Sequence, residues 1–418
     1  MSEDVHLPGS APARYQVLLV VLLCVNFGIL FFDRNALNFL MPYVQPDLGL
    51  NYTQVGMLGS ALSLTWALAA IFVSWLSDKA GKRKILIVAC TVLFALCSVL
   101  SGLATSFLML LAARLVMGLS EGGVMPLSHA MVANEVTPKN RGVAMGITQN
   151  LGSSLMGSTL APLMLVPIAL AWGWRNAFFL AALPGIVSAL LIWLLVIERK
   201  LPPPAPRAAG SRAPVMEVLG NRNVLVCSFM AVVLVAYLVV TWAFMPLVLV
   251  QMRGIEDTTA AGLMAVLGVS SALCSFLIPW LSDLFGRRPV MSLFTFGGVI
   301  LPLAALWYDG PAITLGLLFF VGWMFNGIFP MFMATVPHES VAPQQAATAM
   351  GIVMGLGEVL GGVLAPSLAG GLSDSYGLQA VCWLLVALAL LGGTAALFLR
   401  ETAPRILARK GATAPLAV

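Results

Sequence analysis

Apolar residues run through the chain in long blocks, and short polar segments interrupt them from end to end. A helix needs ~20 residues to cross a hydrocarbon core of ~30 Å. Twelve blocks fit that length: 15–43, 53–77, 84–106, 108–133, 142–168, 176–197, 223–252, 260–281, 289–307, 312–334, 346–369 and 378–399. All are predicted helical, because hydrocarbon offers no partner to an unpaired backbone N–H or C=O. The polar residues 1–14 and the long run from Tyr15 read as a tail and a span, not as a cleavable leader.

The cations orient these spans. With the N-terminus inside, eighteen of the 22 Lys and Arg residues fall on cytoplasmic segments. Arg175 and Arg253 fall outside, and Arg34 and Arg114 lie within spans. Such asymmetry is the positive-inside signal, and it places both termini in the cytoplasm. The expected location is a multi-pass plasma membrane, the inner membrane of a bacterium. The longest polar stretch, 198–222, holds Leu201-Pro-Pro-Pro-Ala-Pro206, a stiff, extended linker. It separates a tail (1–14) and bundle (15–197) from a second bundle (223–399) and a second tail (400–418).

The bundles are repeats. Trp75-Leu-Ser-Asp78-x-x-Gly81-x-Arg83 returns 205 residues later as Trp280-Leu-Ser-Asp283-x-x-Gly286-x-Arg288. Ala144-Met-Gly-Ile147, Leu151-Gly152, Gly157 and Ala161-Pro162 return as Ala349-Met-Gly-Ile352, Leu356-Gly357, Gly362 and Ala365-Pro366. Met41-Pro42 returns as Met245-Pro246. The predicted fold is therefore an all-α membrane protein of twelve helices in two parallel six-helix repeats, with a substrate site between the halves near the midplane.

Composition removes the other classes. The chain is 60% hydrophobic and 9% charged, against about 25% charged in soluble proteins. A net charge of +5 in such a chain reports orientation, not nucleic-acid binding. Six cysteines lie singly in apolar segments, which suggests neither a disulfide framework nor a zinc site. There is no phosphate-binding loop and no H-E-x-x-H, so neither ATP hydrolysis nor another enzymatic activity is expected. No cofactor and no metal are expected.

Charge inside a span is costly and marks function by default. Asp33 and Arg34 lie on the first span, Arg114 and Glu121 on the fourth, and Glu358 on the eleventh. Arg114 and Glu121 are seven residues apart, two turns, so they project from one helix face. Asp33 is placed to pair with Arg114 or Arg34, which leaves Glu121 as the carboxylate to take a proton. The same residues also suit two structural ion pairs, Asp33–Arg34 and Arg114–Glu121. Candidate neutral contacts are Asn150, Tyr237 and Asn326, the last aligned with Glu121 by the repeat. His129 and His338 are placed near the cytoplasmic side, where proton transfer is a minor expectation.

The loop Asp78-Lys-Ala-Gly81-Lys-Arg83-Lys84 resembles the signature of the major facilitator superfamily, with Ser74 in place of the usual leading Gly. The resemblance covers the whole chain. It implies alternating access by two rocking bundles, with Asp78, Gly81, Arg83, Asp283, Gly286 and Arg288 as conformational latches. Phe31-Phe-Asp33-Arg34-Asn-Ala-Leu-Asn38, Arg114-x-x-x-Gly118-x-x-Glu121-Gly122 and Trp172-Gly-Trp-Arg175 resemble the anion:cation symporters within that superfamily. That resemblance implies proton coupling at Asp33 and Glu121, and carboxylate binding by Arg34 and Arg114. Two departures stand out: Trp66 in place of a Tyr common among sugar-acid carriers, and Glu358 in place of Asn. Glu358 allows a second proton site or a substrate with a cationic group.

The expected function is proton-coupled import of a small organic anion, a carboxylate or sugar acid, by a functional monomer in the lipid bilayer. The alternative is a proton-driven exporter of drugs or metabolites, for which Glu358, Trp66, Trp242, Phe31 and Phe32 supply a site for lipophilic cations. Against it, the Gly-x-x-x-Gly-Pro motif of such antiporters is reduced here to Gly157-x-x-x-Ala161-Pro162.

Overall fold

The structure is a computed structural model that describes residues 11–198, 215–342 and 344–409. The proline-rich stretch 201–206, Lys200, Arg207, Arg212 and the last residues of the C-terminal tail lie outside the described residues. Among the described residues, twelve helices are long and apolar enough to cross a membrane. They are α1 (Ala13–Leu48), α2 (Tyr52–Ala80), α3 (Arg83–Gly102), α4 (Phe107–Glu135), α5 (Arg141–Trp172) and α6 (Trp174–Leu195). The rest are α7 (Arg222–Met252), α8 (Asp257–Phe285), α9 (Arg287–Trp307), α10 (Ala312–Ser340), α11 (Ala346–Tyr376) and α12 (Gln379–Leu397). No strand occurs among the described residues. Half of the helices outrun their apolar blocks by about a turn or more, whereas α3 and α12 are shorter than theirs. α10 extends to Ser340, so His338 sits on its last turn, not in a loop.

Two compact units form. One holds the chain up to Leu50 and resumes at Ala61; the other holds Asn51–Ser60 and the chain after the linker. The repeat is visible in the packing of each. In the first, α1 lies along α5, and α3 along α4 and α6; in the second, α7 lies along α11, and α9 along α12.

Lipid tails are as apolar as leucine, so helices in a bilayer associate through close packing and interhelical hydrogen bonds, not through escape from water. Glycine makes the closest approach here. A Cβ on Gly122 of α4 would lie 2.2 Å from the Trp66 carbonyl oxygen of α2, and one on Gly118 2.5 Å from that of Leu62. At the repeat-related place, a Cβ on Gly327 of α10 would lie 2.3 Å from the Cys274 carbonyl oxygen of α8. The same places are irregular: α4 is interrupted at Gly122–Gly123, and α10 tightens into a 3-10 turn over Met324–Ile328. α5 and α11 widen into π-helical turns over Ser153–Leu160 and Gly357–Leu364, a feature often found at functional positions.

The short loops α2–α3 and α8–α9 turn on Gly81 (φ +64°) and Gly286 (φ +104°), where a side chain would be strained. Each following helix is capped by an acid from the end of its own repeat. Glu198 accepts from the N–H groups of Arg83 (2.9 Å), Lys84 (3.2 Å) and Ile85 (3.2 Å). Glu401 accepts from those of Arg287 (2.8 Å) and Arg288 (3.2 Å). A carboxylate here satisfies orphan donors and meets the positive end of the helix dipole.

Two measurements check this packing. Glu401→Ala is expected to lower stability by about 1 kcal/mol, a drop of ~2–4 °C in the melting temperature of the detergent-solubilised protein. Gly122→Ala is expected to cost about 1–3 kcal/mol by overpacking against backbone. Gly142→Ala is its control, since a Cβ there meets nothing within 4 Å and the melting temperature should hold or rise.

Candidate functional site: a buried charge cluster in the first unit

The first unit brings four charged side chains together. Asp33 and Arg34 come from the middle of α1, and Arg114 and Glu121 from one face of α4. The close approach at Gly118 and Gly122 holds that face of α4 in place beside α2. Asp33 and Glu121 are 0% exposed and Arg114 3%, whereas the Arg34 side chain is 18% exposed. Burial of this order costs about 3 kcal/mol for each lone charge at bilayer depth. Two cations against two anions make the cluster neutral when all four ionise.

The pairing differs from both sequence alternatives: Arg34 approaches Glu121, and a serine holds Asp33. Ser98 Oγ of α3 donates to Asp33 Oδ1. Arg34 Nε lies 4.0 Å from Glu121 Oε2. Arg114 donates from Nη1 to the Arg34 backbone oxygen at 3.0 Å and lies within electrostatic reach of both carboxylates. Several polar atoms keep no hydrogen-bond partner among the described residues: Asp33 Oδ2, both Glu121 oxygens, and Arg114 Nε and Nη2. A cluster built only to staple helices would satisfy these groups, since an unsatisfied charged atom is expensive.

Arg34 also meets aromatic faces. Its guanidinium carbon stands 5.5 Å from the Phe31 ring centre and 5.8 Å from that of Trp66 on α2. The Phe31 ring in turn lies 5.1 Å from Phe27. Two turns along α1 from Asp33, Asn26 Oδ1 accepts from Thr91 Oγ1 (3.2 Å) and Ser188 Oγ (2.8 Å), tying α1, α3 and α6 together. Sequence reasoning missed Ser98 and this triad. The signal available was spacing: Asn26 to Asp33 and Thr91 to Ser98 are both seven residues.

The other predicted residues lie elsewhere. Asn150 is half-buried on a π-helical turn of α5. Tyr237 is fully buried in the second unit, donates to the Gly298 carbonyl at 2.8 Å, and packs edge-on against Phe325 at 4.7 Å. Asn326 donates to Ser271 Oγ at 2.9 Å, beside the Trp323 indole N–H at 2.8 Å. Glu358 is half-buried on the widened part of α11.

Of the loop residues, the side chain of Asp78 lies outside the described residues. Arg83 donates from Nη1 to the Ala130 carbonyl of α4 at 3.0 Å. In the second copy the ion pairs belong to Arg287, not Arg288. Arg287 meets Asp283 at 2.5 Å and Glu339 at 3.0 Å. Gly286 turns the chain so that the first residue of α9, four after Asp283, faces back to it. Arg288 contributes its backbone N–H to Glu401.

The family profile described as Major Facilitator Superfamily matches residues 23–357 and 241–417. A probable sulfoacetate transporter, SauU, of Cupriavidus necator is 34% identical over 183 residues, 44% of this chain and 40% of that protein. The hexuronate transporter of Bacillus subtilis is 30% identical over 280 residues, 64% of this chain and 62% of its own length. The aligned stretches thus span about half of these two relatives. The multidrug resistance protein MdtL of Salmonella paratyphi A is 25% identical over 289 residues, 68% of this chain and 72% of that protein. Among solved structures, a bacterial homologue of the human lysosomal transporter Spinster superposes with a TM-score of 0.74 at 20% identity, covering 93% of this chain and 97% of that one. Twelve helices among the described residues that are long and apolar enough to cross a membrane, the repeated loop motif and the profile match agree: the chain belongs to the Major Facilitator Superfamily and is a multi-pass membrane protein.

Proposed function

We propose that the protein imports a small organic anion together with protons, by alternating access, as a monomer in the bacterial inner membrane with both termini in the cytoplasm. One observation carries this reading: Arg34, the most exposed charge of the cluster, faces a buried Glu121 whose oxygens are otherwise unpartnered. Glu121 and a substrate carboxylate then compete for one guanidinium. Protonation of Glu121 removes its hold on Arg34, and the substrate carboxylate takes the N–H groups of the fork. Loss of that proton restores the Glu121 charge, which draws Arg34 back and expels the substrate.

Asp33 serves as a second proton site, held by Ser98 and balanced by Arg114. Arg114 is the internal counter-ion, since it is closed off and one donor is spent on the backbone of α1. Trp66 and Asn150 flank the substrate. Glu358, on α11 of the second unit, is a further proton site, and the two loop motifs act as latches. Similarity to a probable sulfoacetate transporter and to a hexuronate transporter supports an anionic substrate. The multidrug relative supports the second reading, a proton-driven exporter, with Glu358 as the contact for a cation.

The test is uptake into proteoliposomes under an inward proton gradient, with sugar acids, simple carboxylates and lipophilic cations as probes. Gradient-driven accumulation of an anion is expected. Movement of cations alone, against the proton gradient, would overturn the proposal in favour of export. Asp33→Asn and Glu121→Gln should each lower accumulation by about tenfold or more, and at least one should keep substrate counterflow; if both variants still concentrate substrate, the coupling assignment is wrong. Tyr237→Phe loses a buried hydrogen bond, so it should cost about 1 kcal/mol of stability and leave the half-saturating concentration unchanged. A clear rise in that concentration would return Tyr237 to the substrate site.

A further inference from the structure

We infer that the anion received at Arg34 has a planar, largely apolar body, such as an aromatic or unsaturated ring acid, and not a polyhydroxylated one. The inference rests on Arg34 as the carboxylate dock and adds what lies around it. The Arg34 guanidinium has the Phe31 and Trp66 rings within 6 Å, at 5.5 and 5.8 Å. A planar cation flanked by π surfaces offers a carboxylate its N–H edge. The remainder of the substrate then extends along the aromatic groups beside that edge. Phe27, 5.1 Å from Phe31 and buried in the core, backs that ring from within the bundle.

The polar side chains that neighbour these residues in sequence each donate to a partner within the protein. Asn35, next to Arg34, donates to the Gly157 carbonyl at 3.0 Å. Asn38, one turn on, donates to Asn35 Oδ1 at 3.4 Å. Thr65, next to Trp66, donates to the carbonyls of Ala61 (3.0 Å) and Leu62 (3.3 Å). A sugar acid would set most of its hydroxyls against aromatic faces, and each hydroxyl left unpaired carries a desolvation cost. A ring acid would bring a face that stacks. Trp66 is also held firmly: a Cβ on Gly122 would lie 2.2 Å from its carbonyl oxygen, and one on Gly118 3.1 Å from its nitrogen. The platform therefore selects by shape, because the backbone that carries it is wedged against α4.

Binding of benzoate, glucuronate and propionate to the purified full-length protein, measured by calorimetry, tests this. Benzoate is expected to bind about tenfold tighter than glucuronate. Trp66→Ala should weaken benzoate by about five- to tenfold and propionate by a smaller factor, while Trp66→Phe keeps most of the benzoate affinity. Should Trp66→Ala fail to fold, Trp66→Phe and the wild-type ranking still decide. Glucuronate binding as tightly as benzoate, or Trp66→Ala weakening all three acids equally, would overturn this inference and leave anion transport standing. No binding of any of the three, or affinities unmoved by Arg34→Gln, would overturn the docking role of Arg34 and the inference with it.

Discussion

Charge neutrality inside a low-dielectric bundle governs the first unit. Two acids and two arginines are closed off or nearly so, and none is tolerable alone. Helices α1 and α4 are therefore bound to present their charges at one level, and α2 must leave room for α4. The glycines at 118 and 122 meet that demand, since any side chain there would collide with the α2 backbone. The balance is tight in charge but loose in hydrogen bonding. Ser98 serves one oxygen of Asp33, while Glu121 rests on a 4.0 Å approach to Arg34. An arrangement neutral in charge but short of hydrogen bonds is suited to gaining a proton or an anion, because either event replaces a weak contact with a stronger one.

The repeat extends from the motifs to the capping of individual helices. Glu198 and Glu401 end their respective repeats, and each folds back onto the N-terminus of that repeat's third helix. The pairs α1–α5 and α7–α11, like α3–α6 and α9–α12, pack alike. The units are not identical where chemistry is concerned. The first holds the four-charge cluster, whereas the place of Asp33 in the second falls near Tyr237, an aromatic residue bonded to a backbone carbonyl. The first repeat gathers buried charge and the second gathers buried aromatic rings, a difference that parallel duplication permits.

Several features were legible in the chain alone. Block length and hydrocarbon thickness set the twelve spans, and the offset of 205 residues set the two repeats. Seven-residue spacing put Arg114 and Glu121 on one face of α4, as found. The partners were not legible. Asp33 bonds to Ser98, an unremarked serine 65 residues away, and the second loop motif uses Arg287 in place of Arg288. Tyr237 looked like a polar contact and proved to be a buried strut.

The division has a physical cause. Helix periodicity fixes the direction in which a side chain leaves its own helix, and bilayer thickness fixes how long that helix must be; both are properties of one segment and can be read from it. Which atom lies at the end of that direction depends on how closely two helices approach and how each is rotated, which close packing of many side chains sets jointly. The sequence by itself therefore determined the spans, the repeat and the four charges that gather in the first unit. Only the tertiary structure decided that Glu121 faces Arg34, that Ser98 holds Asp33 and that two aromatic rings flank the exposed guanidinium.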